Sequence, residues 1–251
     1  MEIPPRCRQL VARQCGVITR RQALATGLPA STVDSWVQRG RWIRLGHGVY
    51  ATSGGPSSRE ALLWAALLRA GPGAVLSHET AAELCGLVPG PALAIHVTVP
   101  ARRNPARAGT MPGIVVHRSD RAGPRGGGRG RRPPHTRIDE TVIDLTQASA
   151  TFGEAFSWLG RAVAQGLTTP QRLSQRAATR ARLHWRAEIS AALIELARGG
   201  LPNQGGAARD APASRRHRRS GPTARGGGTS GGVPIGSGNG SGPCTEPAGA
   251  Q

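Results

Sequence analysis

"GVITRRQALATGLPASTVDSWVQRGRWIRLGHGVYA", residues 16–51, is the stretch on which the fold turns. Val17-Ile18 is a brief extended pair. Thr19 followed three residues later by Gln22 has the spacing of a capping box, and Gly27 sits where a helix opened at Thr19 would stop. A second helix opens at Ala30 or Ser31 and closes at Gly40, with Val33, Trp36 and Val37 on one face. Trp42–Leu45 and Val49–Ala51 read as two strands joined through Gly46-His47-Gly48, where glycine supplies a positive φ.

Upstream, residues 6–14 place Cys7, Leu10, Val11 and Gln14 along one side of a short helix that stops at Cys15-Gly16. Helix, helix, turn, helix and hairpin within about fifty residues is the order of a winged helix-turn-helix, in which the third helix enters the DNA major groove and the hairpin crosses the backbone. The face of the third helix opposite its apolar stripe is polar and mostly short-chained. Ser31, Thr32, Ser35 and Gln38 are therefore the candidates for base edges, and Arg39, Arg41, Arg44 and His47 for phosphates. The competing reading is a solvated basic rim on a protein-binding module.

Charge points the same way. The 251 residues contain 33 basic side chains, all arginine, against 14 acids, for a net charge of +19, more than solubility requires. Part of the arginine excess fits a GC-biased genome, so its location matters more than its size. Residues 1–56 carry 8 Arg and 2 acids, residues 121–135 carry 5 Arg and no acid, and the final 52 carry 6 Arg and 2 acids, while the two middle segments are nearly balanced. A polyanion is the expected partner, and with the helix-turn-helix order this points to double-stranded DNA. The four cysteines lack metal-ligand spacing and read as reduced thiols. With neither a membrane-length apolar run nor a secretory signal, a cytoplasmic protein is expected.

The expected fold class is α/β (α+β). A winged helix-turn-helix occupies 6–52, and a small mixed α/β domain with a helical C-terminal part spans 57–198. Residues 199–251 form a disordered low-complexity tail. Ser57 with Glu60 predicts a capping box ahead of "REALLWAALLRAG", which is apolar on nearly every side and so buried. A strand at 74–76, a helix from a Ser77 cap to Cys85-Gly86, and strands in "LAIHVTVP" and "GIVVHRS" follow. Alternation of Ile95, Val97 and Val99 against His96 and Thr98 predicts one face packed on helices. "RAGPRGGGRGRRPPH", 121–135, is expected to be a mobile basic loop that buries nothing. Helices are expected over 153–165, 170–178 and 181–197. The Gly- and Pro-rich tail resembles the product of a shifted reading frame.

Three runs together, residues 16–51, "AVLSHETAAELCGL" and "TRIDETVIDLTQ", resemble actinobacterial AbiEi-type antitoxin proteins, the antitoxin half of type IV toxin-antitoxin systems. The likeness covers roughly residues 8–150 and, more weakly, extends to 198. It implies a winged-helix repressor that binds operator DNA near its own promoter. It also implies a following domain that aids repression or counteracts a nucleotidyltransferase-like toxin. Longer relatives end in a domain similar to very-short-patch-repair endonucleases. Here its place, near "AEISAALIELARGGLP", runs into the tail, so a truncated or altered C-terminus is expected. A homodimer is expected because such repressors commonly read inverted repeats.

Catalytic constellations are weak. Ser77, His78 and Glu79 are neighbours that point apart on a helix, and are read as an N-cap and first turn. His96 and His117 lie on candidate adjacent strands, but no third ligand is evident, so they are read as a polar sheet face and no metal or other cofactor is expected. Asp139, Glu140 and Asp144 could hold magnesium on a nuclease fold, yet Glu140 and Asp144 are simply one helical turn apart, and helix-start acids account for Asp139 and Glu140 equally well. A binding protein that is no enzyme is the expectation. The alternatives are a nuclease remnant with a DNA-targeting N-terminal module, and a gene product that has lost its function.

Overall fold

The computed structural model describes residues 3–52, 58–102, 112–120 and 133–199. The expected tail and most of the expected basic loop lie outside them. The chain begins with α1 (Pro5–Arg13), β1 (Val17–Thr19), α2 (Arg20–Ala25), α3 (Ala30–Gln38), β2 (Ile43–Gly46) and β3 (Val49–Ala51). β3 lies between β1 and β2, antiparallel to both.

Local signals set these boundaries. Gln22 N donates to Thr19 Oγ1 at 3.1 Å and Thr19 N donates to Gln22 Oε1 at 2.9 Å, which completes the capping box. Buried Gln14 is satisfied from both ends: its amide donates to Val17 O at 2.7 Å, and its carbonyl accepts from Gln22 Nε2 at 2.8 Å. Gly27 ends α2 at φ +94°, a conformation that costs any residue with a Cβ. Around these elements Cys7, Ile18, Ala23, Leu28, Val33, Trp36, Trp42 and Tyr50 form one core cluster. Trp42, 1% exposed, lies between Trp36 and Tyr50 in tilted contacts, with ring centroids 5.1 Å and 5.9 Å away.

Helix α4 (Arg59–Ala70) is apolar on all sides because it packs against two sheets. Ala61 and Ala65 join Val17 and Val49 of the first sheet. Leu63, Ala66, Leu67 and Ala70 face Ile95, Val97 and Val99 of the second. Its cap is Ser58, whose side chain accepts from Ala61 N, one residue later than the expected Ser57.

The second sheet has the order β4 (Val75–Leu76), β5 (Ile95–Pro100), β6 (Ile114–Ser119), with β4 antiparallel and β6 parallel to β5. Its other face meets α5 (His78–Leu84), on which α6 (Ile138–Ala148) packs in turn. Helices α7 (Phe152–Ala164), α8 (Pro170–Ala178) and α9 (Arg186–Ala197) enclose a helical core around Leu87, Ile143, Leu145, Leu159, Leu173, Ile189 and Leu193.

Three further expectations need correction. The end of the loop expected at 121–135 is pinned: Leu76 N donates to Pro134 O and Thr136 N to Leu76 O, both at 2.9 Å, and His135 is buried beside β4. The unpaired edge of β4 supplies the backbone partners that the residue composition did not reveal. The last helix begins at 186 rather than 181, because Trp185 adopts a left-handed conformation at φ 51° and packs on Phe152. Arg186 fastens this turn by donating to Arg180 O. Ser77 occupies the N-cap position of α5, but its hydroxyl makes no cap bond and instead accepts from Thr98 Oγ1 at 2.7 Å.

Candidate nucleic-acid interface

Helix α3 buries Val33 and Trp36 and turns its opposite side outward. Ser31 in the first turn and Gln38 in the last are exposed, while Thr32 and Ser35 between them are half-buried. Arg39 follows as the exposed C-cap. The hairpin then brings its cations back beside the same helix. The exposed Arg41 guanidinium lies 4.8 Å over the Trp36 ring, and the exposed Arg44 lies 6.0 Å from the Tyr50 ring. Each arginine is supported on an aromatic face from below and keeps its N–H groups toward solvent.

His47 is exposed at the tip, where Gly48 at φ +70° closes the turn. Arg20 N donates to Gly48 O at 2.8 Å, which fixes the tip to the start of α2. Arg20 also clasps Asp34 of α3 through two parallel bonds, one of them 2.9 Å. That pairing holds the Asp34 carboxyl below its ordinary range, with Arg44 contributing, and raises Arg20 in turn. The one acid on α3 is thereby neutralised by its neighbours. All eight residues singled out in the sequence therefore lie on α3, its C-cap or the adjoining hairpin.

A second polar constellation lies between the β5–β6 sheet, α5 and α6. His96 of β5 and His117 of β6 share a sheet face, with His96 Nδ1 3.0 Å from His117 Nε2. His78 joins them: its ring stacks on His117 with centroids 3.7 Å apart, and its Nδ1 lies 3.0 Å from Ser77 Oγ. Burial pushes the His78 imidazole down to about 3, with His117 and His96 adding to the effect, and burial also lowers His96 and His117. All three rings are thus neutral near pH 7.

The sequence reading places His78 in the first turn of a helix behind the Ser77 cap, apart from His96 and His117, because ordinary helical geometry gives it no route to the sheet. Here φ of +50° at His78 redirects it toward the sheet. The available signal was the even spacing of His96 and Thr98, together with a histidine directly after a strand.

The acidic group resolves differently. Asp139 accepts from Arg172 at 2.9 Å and from Thr168. Glu140 accepts from Arg176 at 3.1 Å and from Arg180 at 2.5 Å, and Asp144 accepts from the same Arg180 at 2.7 Å. Arginines on and just after α8 therefore lock these carboxylates across the interface between α6 and α8. The helix dipole expected to explain them acts on acids that already have cationic partners.

Residues 6–53 match the family model described as a transcriptional regulator, the AbiEi antitoxin. No curated protein matches the chain. Among solved structures, the chain is similar to the RV2827C protein from Mycobacterium tuberculosis, with 18% identity, coverage of 77% of this chain and 78% of that one, and a TM-score of 0.49. No helix among the described residues is long and apolar enough to cross a membrane. The likeness to the AbiEi-type antitoxin regulators thus rests on residues 6–53, the segment that carries α1–α3 and the β2–β3 hairpin.

Proposed function

We propose that residues 6–52 are a winged helix-turn-helix that binds double-stranded operator DNA, and that the protein is a cytoplasmic antitoxin repressing its own operon. One observation carries this reading: the outward polar side of α3 and the aromatic-supported Arg41 and Arg44 lie together in the segment that matches the regulator family. In this reading α3 enters the major groove. Ser31, Thr32, Ser35 and Gln38 meet base edges, and Arg39, Arg41, Arg44 and His47 fix register on phosphates. The region from 58 to 199 acts by binding, not turnover, and counters a nucleotidyltransferase-like toxin. A homodimer would read an inverted repeat.

The test is fluorescence anisotropy of the full chain on its own promoter fragment and on a scrambled fragment of equal length, at physiological salt. Tighter binding to the promoter by a factor of at least about 10³ is expected of a specific regulator. Equal affinity for the two would refute the assignment.

A further inference from the structure

We propose that His78, His96 and His117 bind a divalent transition metal of the zinc class, tying the start of α5 to β5 and β6. One ring nitrogen from each histidine lies within 4.8 Å of the others, although the residues come from three separate elements. Two donors on a tetrahedral zinc are roughly 3.3 Å apart at zinc–nitrogen lengths of about 2.0–2.1 Å. The 3.0 Å between His96 Nδ1 and His117 Nε2 is close to that separation.

The surroundings select the donor atoms. Ser77 Oγ, itself held by Thr98, faces His78 Nδ1 and leaves Nε2 as the ligand atom. On the far side of His96, Glu79 Oε2 lies 3.1 Å from Nε2, close but not aligned as a hydrogen bond. Once aligned, it would form the carboxylate–imidazole hydrogen bond that orients metal-bound histidines. Ring centroids 5.2 Å apart for His96–His117 and 5.7 Å for His78–His96 suit two ligands on one ion. The 3.7 Å stack of His78 on His117 is tighter, so loading turns His78 off that face, and a small turn of His96 aligns Glu79.

An all-imidazole set favours zinc, copper, nickel or cobalt over magnesium or calcium. His78 and His117 also line a cleft of about 460 Å³ with Thr98, Arg118, Ser119 and Arg182. The metal would therefore keep an open position toward an anionic or solvent oxygen, as three-ligand sites do.

The experiment uses the purified full chain, stripped with a chelator and titrated with cobalt(II), followed by competition with zinc(II). One equivalent taken up with the strong visible absorption of four- or five-coordinate cobalt, and displaced by zinc, is expected. His117→Ala and His96→Gln should each weaken uptake at least tenfold, while His184→Ala, outside the cluster, leaves it unchanged. Should the histidine variants fold poorly, Glu79→Gln keeps the question decidable, with a loss of about 10–100-fold expected for a residue that orients a ligand. Absence of stoichiometric cobalt uptake by the unaltered protein, or uptake unaffected by all three substitutions in the cluster, would overturn the site. Neither result bears on DNA binding, which is read separately.

Discussion

Replacing Arg180 with alanine should be among the most damaging single changes in the helical half of the protein. Its guanidinium is 9% exposed and donates through one nitrogen to Glu140 at 2.5 Å and Asp144 at 2.7 Å, carboxylates that are themselves only 13% and 19% exposed. A hydrogen bond to a charged group contributes about 1.5–3 kcal/mol, and breaking a buried pair from one side costs about 3–5 kcal/mol. Glu140 keeps Arg176 at 3.1 Å, which softens the loss. About 2–4 kcal/mol of destabilisation remains, or a fall in Tm of roughly 5–15 °C for a domain of this size. Arg198→Ala is the control, because its pair with Glu195 is 70% and 58% exposed and contributes less than about 0.5 kcal/mol. Combining Arg180→Met with Glu140→Gln and Asp144→Asn should recover at least half of the loss, since the cost lies in stranded charge and not in missing contacts. Urea unfolding followed by circular dichroism measures all three. A destabilisation of Arg180→Ala below about 1 kcal/mol would refute the reasoning.

Trp42→Ala removes the central ring of the N-terminal core and should cost about 3–5 kcal/mol, seen as loss of the cooperative near-ultraviolet transition of that segment. Thr19→Ala takes away one half of the capping box and should lower stability by about 1 kcal/mol in urea unfolding, while Thr19→Ser should be nearly neutral. Arg41→Ala and Arg44→Ala should each flatten the slope of log affinity against log salt by about 1 and weaken all DNA sequences alike, as measured by anisotropy across a salt series.

The N-terminal architecture was legible because its punctuation is local. The Thr19–Gln22 box, Gly27 and Gly40 lie within a few residues of the boundaries they set, and Val33 and Trp36 declare a buried face by helical spacing. The second half hid more, for a physical reason: its decisive contacts join residues distant in sequence. Arg180 reaches Glu140 and Asp144 across 40 and 36 positions, and nothing in "TRIDETVIDLTQ" names the cation that will neutralise it. The pinning of Pro134 and His135 depends on a strand edge about sixty residues away, visible only after folding. His96 and His117 could be placed on one face from strand parity, but the left-handed turn at φ 50° that brings in His78 has no glycine or other local signal to announce it.

The proposed regulator depends on α3 reading base edges while the hairpin holds the backbone. Anisotropy of Ser35→Ala and Gln38→Ala on promoter and scrambled duplexes at physiological salt tests this most directly. Binding to the promoter should weaken by roughly 1–3 kcal/mol, about 5- to 150-fold, with affinity for the scrambled duplex unchanged. Equal weakening on both duplexes, or no weakening on either, would contradict it.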